Sequence, residues 1–134
     1  MAWFNIDDRF HYHGKVRTTS LAAIGLWTVG GTYSAQYLTD GWIPEWFPET
    51  QRRSPDDNIS ALVAELVTVH LWEPVKRGGW QMHDYPDWNR TKAMIAEEKE
   101  RQAQRKAAAR ARTQKQLEDA RKITRTRKPT APRN

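Results

Sequence analysis

The sequence contains no cysteine, and this absence excludes disulfides, thiolate zinc sites and cysteine nucleophiles together. A reducing, cytoplasmic setting is the simplest expectation. No apolar run approaches the roughly 20 residues that a membrane span needs. The stretch AWFNIDDRF, residues 2–10, has neither a basic region nor an apolar region of the kind found in leader peptides. We therefore expect a chain that is neither secreted nor inserted in a membrane.

Groups that perform chemistry are also scarce in any recognisable arrangement. His11 and His13 stand at strand spacing, which is the minimum geometry for two metal ligands, but no motif supplies a third or fourth. Two neighbouring pairs, Asp7–Asp8 and His83–Asp84, lack a nucleophile or further carboxylate at a familiar spacing. We expect no enzymatic activity, no metal, no cofactor and no small-molecule substrate.

Basic residues are sparse in the first two thirds of the chain and dense in the last third. Residues 1–89 hold 7 Lys and Arg against 11 Asp and Glu, whereas residues 90–134 hold 15 against 5. All 7 tryptophans precede residue 90. Because large aromatic side chains dominate the burial that stabilises small domains, we predict a globular domain over residues 1–89, followed by a basic extension.

Residues 54–85 carry the clearest secondary-structure signals in that domain, and these signals predict a helix followed by a hairpin. Ser54 is a suitable N-cap, Pro55 suits the first helical position, and Asp57 is spaced to close a capping box. Apolar residues and a histidine then recur at helical spacing: Ile59, Leu62, Val63, Leu66 and His70. The basic, glycine-rich turn at 76–79 joins two stretches that alternate like strands. A helix followed by such a hairpin is typical of the second half of a winged helix.

The residues before this stretch predict the rest of an α+β fold. AWFNI, residues 2–6, suits a short edge strand that pairs with the hairpin. A helix is expected from Leu21 to about Leu38, capped by Thr18, Thr19 or Ser20. The glycines inside it either allow close packing against a second helix or mark a kink. A short helix near 44–47 and a loop over 48–53 complete the predicted winged helix-turn-helix, with three or so helices, a β-hairpin wing and an N-terminal strand.

The surface of this domain that would meet DNA is less clear. In a winged helix the last core helix enters the major groove and the wing contacts the backbone. The exposed positions of the predicted helix form an acidic face: Asp56, Asp57, Asn58, Glu65 and Thr68. Groove-reading helices usually carry Arg, Lys, Asn or Gln, so the candidate DNA contacts of this domain are Arg52, Arg53, Asn58, Lys76 and Arg77. Two hypotheses stay open: DNA meets a surface other than the helix, or the domain mainly binds a protein.

The basic extension predicts a solvent-exposed helix over residues 90–123 and a disordered tail over 124–134. Its apolar side chains between Ile95 and Leu117 are all alanine, so it has no heptad seam for a coiled coil. It also lacks the opposed apolar face that binding to a membrane surface needs. The candidate phosphate contacts are Arg101, Arg105, Lys106, Arg110, Arg112 and Lys115. Double-stranded DNA is the expected partner, RNA stays open, and a helix that serves only solubility is the alternative.

Several blocks recur in an order that resembles a known group of proteins. They are W-F-x-x-D-D, G-L-W, L-T-D-G-x-I-P, L-W and H-D-Y, followed by a helix rich in Ala, Arg and Glu. Over roughly residues 2–105 the chain resembles small proteins of actinobacterial phages that look like the amino-terminal winged-helix domain of phage replication initiators, or replisome organisers. The resemblance implies a winged-helix fold and a role in initiating phage DNA replication. The alternative is a non-enzymatic factor that binds a host or phage replication protein.

The matching blocks also imply which residues form the core. They are Trp3, Phe4, Leu26, Trp27, Ile43, Leu62, Leu66, Trp72 and Trp80. The sequence departs from the pattern between Glu45 and Asn58, where a helix is expected in the related proteins.

Overall fold

The computed structural model describes residues 2–126. Contacts divide the chain into two compact units, the first ending at Met94 and the second beginning at Ile95. A 3-10 turn at Phe10–Tyr12 precedes the first helix. The helices are α1 (Gly14–Arg17), α2 (Leu21–Tyr37), α3 (Phe47–Thr50), α4 (Ile59–Thr68), α5 (Tyr85–Trp88) and α6 (Lys92–Thr126), and the strands are β1 (Trp42–Ile43), β2 (Trp72–Pro74) and β3 (Trp80–Met82). Across residues 2–126, none of these helices combines the length and apolar character needed to cross a membrane.

The sheet has three antiparallel strands in the order β1-β3-β2, so the predicted α+β class and the predicted hairpin are both confirmed. The predicted strand at residues 2–6 is wrong, because β1 occupies the position beside β3 instead. Residues 2–6 have no regular structure. They are anchored where the Asn5 amide donates to Asn89 Oδ1 at 2.7 Å.

Helix α2 matches its prediction, with Ser20 as the N-cap accepting from the Ala23 amide. Its buried residues are mostly small: Ala23, Leu26, Gly30, Gly31, Ser34 and Ala35. Gly30 faces the Trp72 and Ile43 side chains, and Gly31 faces the Phe4 ring. These two glycines therefore admit buried and partly buried side chains, and α2 also packs against a second helix, α4.

Helix α4 begins later than predicted. Asn58 is its N-cap, and its Oδ1 accepts from the Ala61 amide at 3.2 Å. Asp57 Oδ2 accepts from the Ser54 amide at 2.9 Å, as a capping box requires, yet residues 54–57 form only a turn. The predicted cap at Ser54 is thus wrong, since the Asp57 and Ser54 side chains accept from backbone amides of this turn in a non-helical conformation. His70 lies beyond the helix end with φ +61° and is exposed, so its predicted place on the apolar stripe is also wrong.

The core lies between α2, α4 and the sheet. Ile43, Leu66 and Trp72 are fully buried, and Ala23, Leu26, Phe47, Met82 and Tyr85 surround them. Eight of the nine predicted core residues are buried or partly buried, but Trp3 is 76% exposed and that prediction is wrong. In the region where the resemblance breaks, α3 lies one turn later than the predicted short helix and takes up part of the predicted loop.

Candidate nucleic-acid interface

The hairpin tip, residues 75–79, presents two cations on a tightly built turn. The Gly78 amide donates to the Val75 carbonyl at 3.0 Å, and the Val75 amide donates to the Gly79 carbonyl at 3.3 Å. Gly79 has φ +73°, and a Cβ there would lie 2.1 Å from the Ile43 carbonyl oxygen. Glycine is therefore required at this position for β1 to approach the turn. Lys76 and Arg77 are both exposed.

Arg77 is held in place by an aromatic ring. Its guanidinium carbon lies 4.0 Å from the centroid of the Trp42 ring. The Trp42 indole Nε1 in turn donates to the Gly78 carbonyl at 2.9 Å. A cation over an indole face is stabilised by the ring quadrupole, while its N–H groups stay available for oxygen acceptors. The exposed guanidinium is thus positioned without being neutralised by this contact.

Arg52 is occupied within the protein. Its Nη2 lies 2.6 Å from Glu49 Oε1, and its Nη1 donates to the Asp57 carbonyl oxygen. Arg53 is exposed, and its amide donates to Asp57 Oδ2 at 2.8 Å. Hydrogen bonds from the Arg53 and Ser54 amides lower the pKa of Asp57 below its ordinary value. Arg52 therefore supports the turn before α4, which makes it a weaker candidate for binding phosphate than Arg53.

The surface of α4 differs from the acidic face predicted for it. Asp56 and Asp57 lie before the helix, and the Glu65 carboxylate accepts hydrogen bonds from the Ser20 amide and, at 2.8 Å, from the Ser20 hydroxyl. Asn58 Oδ1 is engaged in capping. The exposed positions of the helix are small and uncharged: Ser60, Ala61, Ala64 and Thr68. With no Arg, Lys or Gln between residues 59 and 68, α4 lacks the side chains that read a major groove.

The candidate cations of the second unit lie on α6, where every side chain from 99 to 125 is exposed. Arg101, Arg105, Arg112 and Lys115 follow one another at spacings of four, seven and three residues, so they share one face of the helix. This face extends for about 21 Å. Lys106 and Arg110 lie on the opposite side. The helix reaches Thr126, three residues past its predicted end, and residues 127–134 of the predicted disordered tail lie outside the described residues.

Sequence reasoning missed two exposed aromatic side chains, Tyr37 at the end of α2 and Trp46 just before α3. Each is 60% exposed. Both rings contact Tyr33, with centroid distances of 4.9 Å for Tyr37 and 5.7 Å for Trp46. Helical periodicity alone places Tyr37 on the same side as Tyr33, so the sequence offered no signal that its ring is open to solvent.

Among residues 2–126, no group of three or more potential ligands is arranged so that it could hold a metal ion. His13 Nδ1 accepts from the Lys15 amide at 3.3 Å. His83 lies between two carboxylates, 3.3 Å from Glu73 and 3.2 Å from Asp84. A cavity of about 280 Å³ opens between residues 4–16 and residues 82–89, with Phe4, Phe10 and Trp27 among its walls. Its rim carries both acids and bases, so its electrostatics select no ligand class.

No family model matches the chain, and no curated protein or solved structure gives a significant match. The resemblance to phage replication initiators stays a prediction.

Proposed function

We propose that this chain is a non-enzymatic, winged-helix-like DNA-binding protein that contacts the phosphate backbone through the hairpin tip and the basic helix α6. The proposal extends to a role in initiating phage DNA replication in the cytoplasm of a bacterial host, as the resemblance implies. Residues 54–85 supply a helix and a hairpin in winged-helix order, and β1 completes the sheet.

One observation carries the proposal: the Arg77 guanidinium lies over the Trp42 ring at the tip of the hairpin. The first 89 residues have few cations, yet the structure uses an indole ring and a required glycine to fix one of them on an exposed turn. Backbone contact by such a tip needs no base-reading side chains. This is consistent with the neutral surface of α4.

The test is a titration of the full chain and of the double variant Lys76→Ala/Arg77→Ala with duplex DNA between about 50 and 200 mM salt. Losing two phosphate contacts is expected to reduce the slope of log affinity against log salt by about 2. Thermal stability should fall only slightly, because both side chains are exposed and an exposed cation–π contact contributes only about 0.5–1 kcal/mol.

The matched control is Arg9→Ala/Arg17→Ala, which removes the same charge from exposed positions. α1, which contains Arg17, lies at the other end of the hairpin, where Lys15 Nζ is 3.5 Å from the His70 carbonyl. This control should keep the parental salt slope. Equal losses from both double variants would mean that net charge alone matters, and an unchanged tip variant would remove the hairpin from the interface.

The second candidate function is binding to a replication protein. It is favoured by two exposed tryptophans, Trp3 and Trp88, whose chain segments are joined where the Asn5 side-chain amide donates to the Trp88 carbonyl at 3.1 Å. If the full chain binds no DNA at any salt, this candidate replaces the first. The double variant Trp3→Ala/Trp88→Ala then tests this candidate, because it should no longer bind the replication protein.

A further inference from the structure

We propose that Tyr37 and Trp46 form a stacking platform for unpaired bases, so that the first unit prefers single-stranded DNA to duplex DNA. The inference rests on the proposed function, since it places the bases beside a tip whose cations hold the phosphates. It adds a substrate class that backbone contacts alone do not specify.

Both rings contact the Tyr33 ring and remain mostly exposed to solvent. Tyr33 is partly buried against the core and lies 4.7 Å from Phe47, centroid to centroid. Tyr37 and Trp46 both rest on Tyr33, and Trp46 also lies 6.3 Å from Phe47. Each keeps 60% of its surface exposed. A base needs an accessible aromatic face on a side chain that is already ordered, because stacking then costs little conformational entropy.

One short stretch of backbone links Trp46 of the platform to the turn that bears the cations of the tip. The Glu45 amide nitrogen lies 3.1 Å from the position that a Cβ on Gly79 would take, and a Glu45 carboxylate oxygen lies 3.4 Å from the corresponding position on Gly78. Trp46 is the next residue. The segment that bears Trp46 therefore starts against the turn that bears Arg77. This puts aromatic side chains and guanidinium on neighbouring parts of the chain, the combination that single-stranded nucleic acid requires.

The surrounding groups favour a single strand over a duplex. In a duplex the base faces are stacked on one another, so exposed aromatic rings gain nothing from it unless a base is extruded. Direct readout of a duplex needs base-edge contacts, and α4 lacks the side chains for them. The Trp42 ring already carries Arg77 on one face, so we assign the bases to the exposed rings of Tyr37 and Trp46. Of the two acids nearest to Trp46 in sequence, Glu49 is paired with Arg52 at 2.6 Å, whereas Glu45 is exposed beside the tip.

The test measures binding of the full chain to three probes of equal length, about 12 nucleotides: oligothymidine, its abasic analogue and a duplex. The abasic strand keeps the phosphates and lacks the bases, so it reports the backbone contacts alone. We expect oligothymidine to bind about tenfold or more tighter than the abasic strand, since a stacked base typically contributes a factor of that size. Trp46→Ala and Tyr37→Ala should each reduce that ratio toward one while leaving abasic binding unchanged.

Trp3→Ala is the matched control, because it removes an exposed tryptophan elsewhere and should leave the ratio unchanged. Thermal melting of every variant checks that the fold survives. Equal affinity for oligothymidine and its abasic analogue, or tightest binding to the duplex, would overturn the platform while leaving DNA binding intact. Binding to none of the three probes would overturn the proposed function as well. The platform would also be overturned if Trp46→Ala and Tyr37→Ala both left the ratio of the oligothymidine affinity to the abasic affinity unchanged.

Discussion

Gly30 of α2 packs against two buried side chains of the sheet, and a single added methyl group there is expected to destabilise the fold. A Cβ on Gly30 would lie 2.9 Å from Trp72 Cζ2 and 3.3 Å from Ile43 Cδ1. Both side chains have zero exposure, so neither can move without displacing other core residues. Overpacking of this kind costs about 1–3 kcal/mol. The helix preference of alanine over glycine offsets about 1 kcal/mol of that cost.

We therefore expect Gly30→Ala to lower the free energy of unfolding by up to about 2 kcal/mol. Gly25→Ala is the control within the same helix, because nothing lies within 4 Å of a Cβ at that position. It should raise stability by up to about 1 kcal/mol. Urea denaturation followed by tryptophan fluorescence gives both values. If the two substitutions stabilise the chain equally, the contact of Gly30 with Trp72 is not as close as described.

Two further predictions concern the helix ends. Glu65→Ala removes the acceptor for the Ser20 amide and hydroxyl. Because this support lies at the start of α2, its loss should lower the free energy of unfolding by about 1 kcal/mol, as measured by urea denaturation. An unchanged midpoint would contradict this prediction. The pKa of Asp57 is lowered below 3.8 by the amides of Arg53 and Ser54. Its ionised form thus stabilises the fold above that pH, and the contribution is lost as the pH falls through the lowered pKa. Asp57→Asn should remove this part of the acid dependence of stability; a parental acid profile would refute it.

Elements with strong local signals were predictable from the sequence. The run Thr18, Thr19, Ser20 before an apolar stretch predicts the start of α2 without choosing the cap among the three, and the glycines at 78 and 79 before an alternating stretch predict the hairpin. The length of α6 follows from an unbroken run of helix formers. In each case the signal and the structure involve neighbouring residues.

Features that depend on distant residues were not predictable. β1 has only two residues, and its pairing with β3 depends on Gly79, which is distant in sequence. The delayed start of α4 reflects two competing caps, Ser54 and Asn58, that local rules rank alike. The platform depends on Tyr33 supporting two rings that are nine residues apart in sequence, which no single periodic pattern encodes.

The central claim, that DNA meets the hairpin tip, is most directly tested by the seven tryptophan indole N–H resonances of the full chain during titration with oligothymidine. The Trp42 indole donates to Gly78 at the tip, and Trp46 follows Glu45, which lies against the same turn. We predict large shifts for these two resonances, little change for Trp3 and Trp88, and none for the buried Trp72. Shifts confined to Trp3 and Trp88, or a spectrum in which Trp42 and Trp46 stay unchanged while DNA binds, would contradict the account.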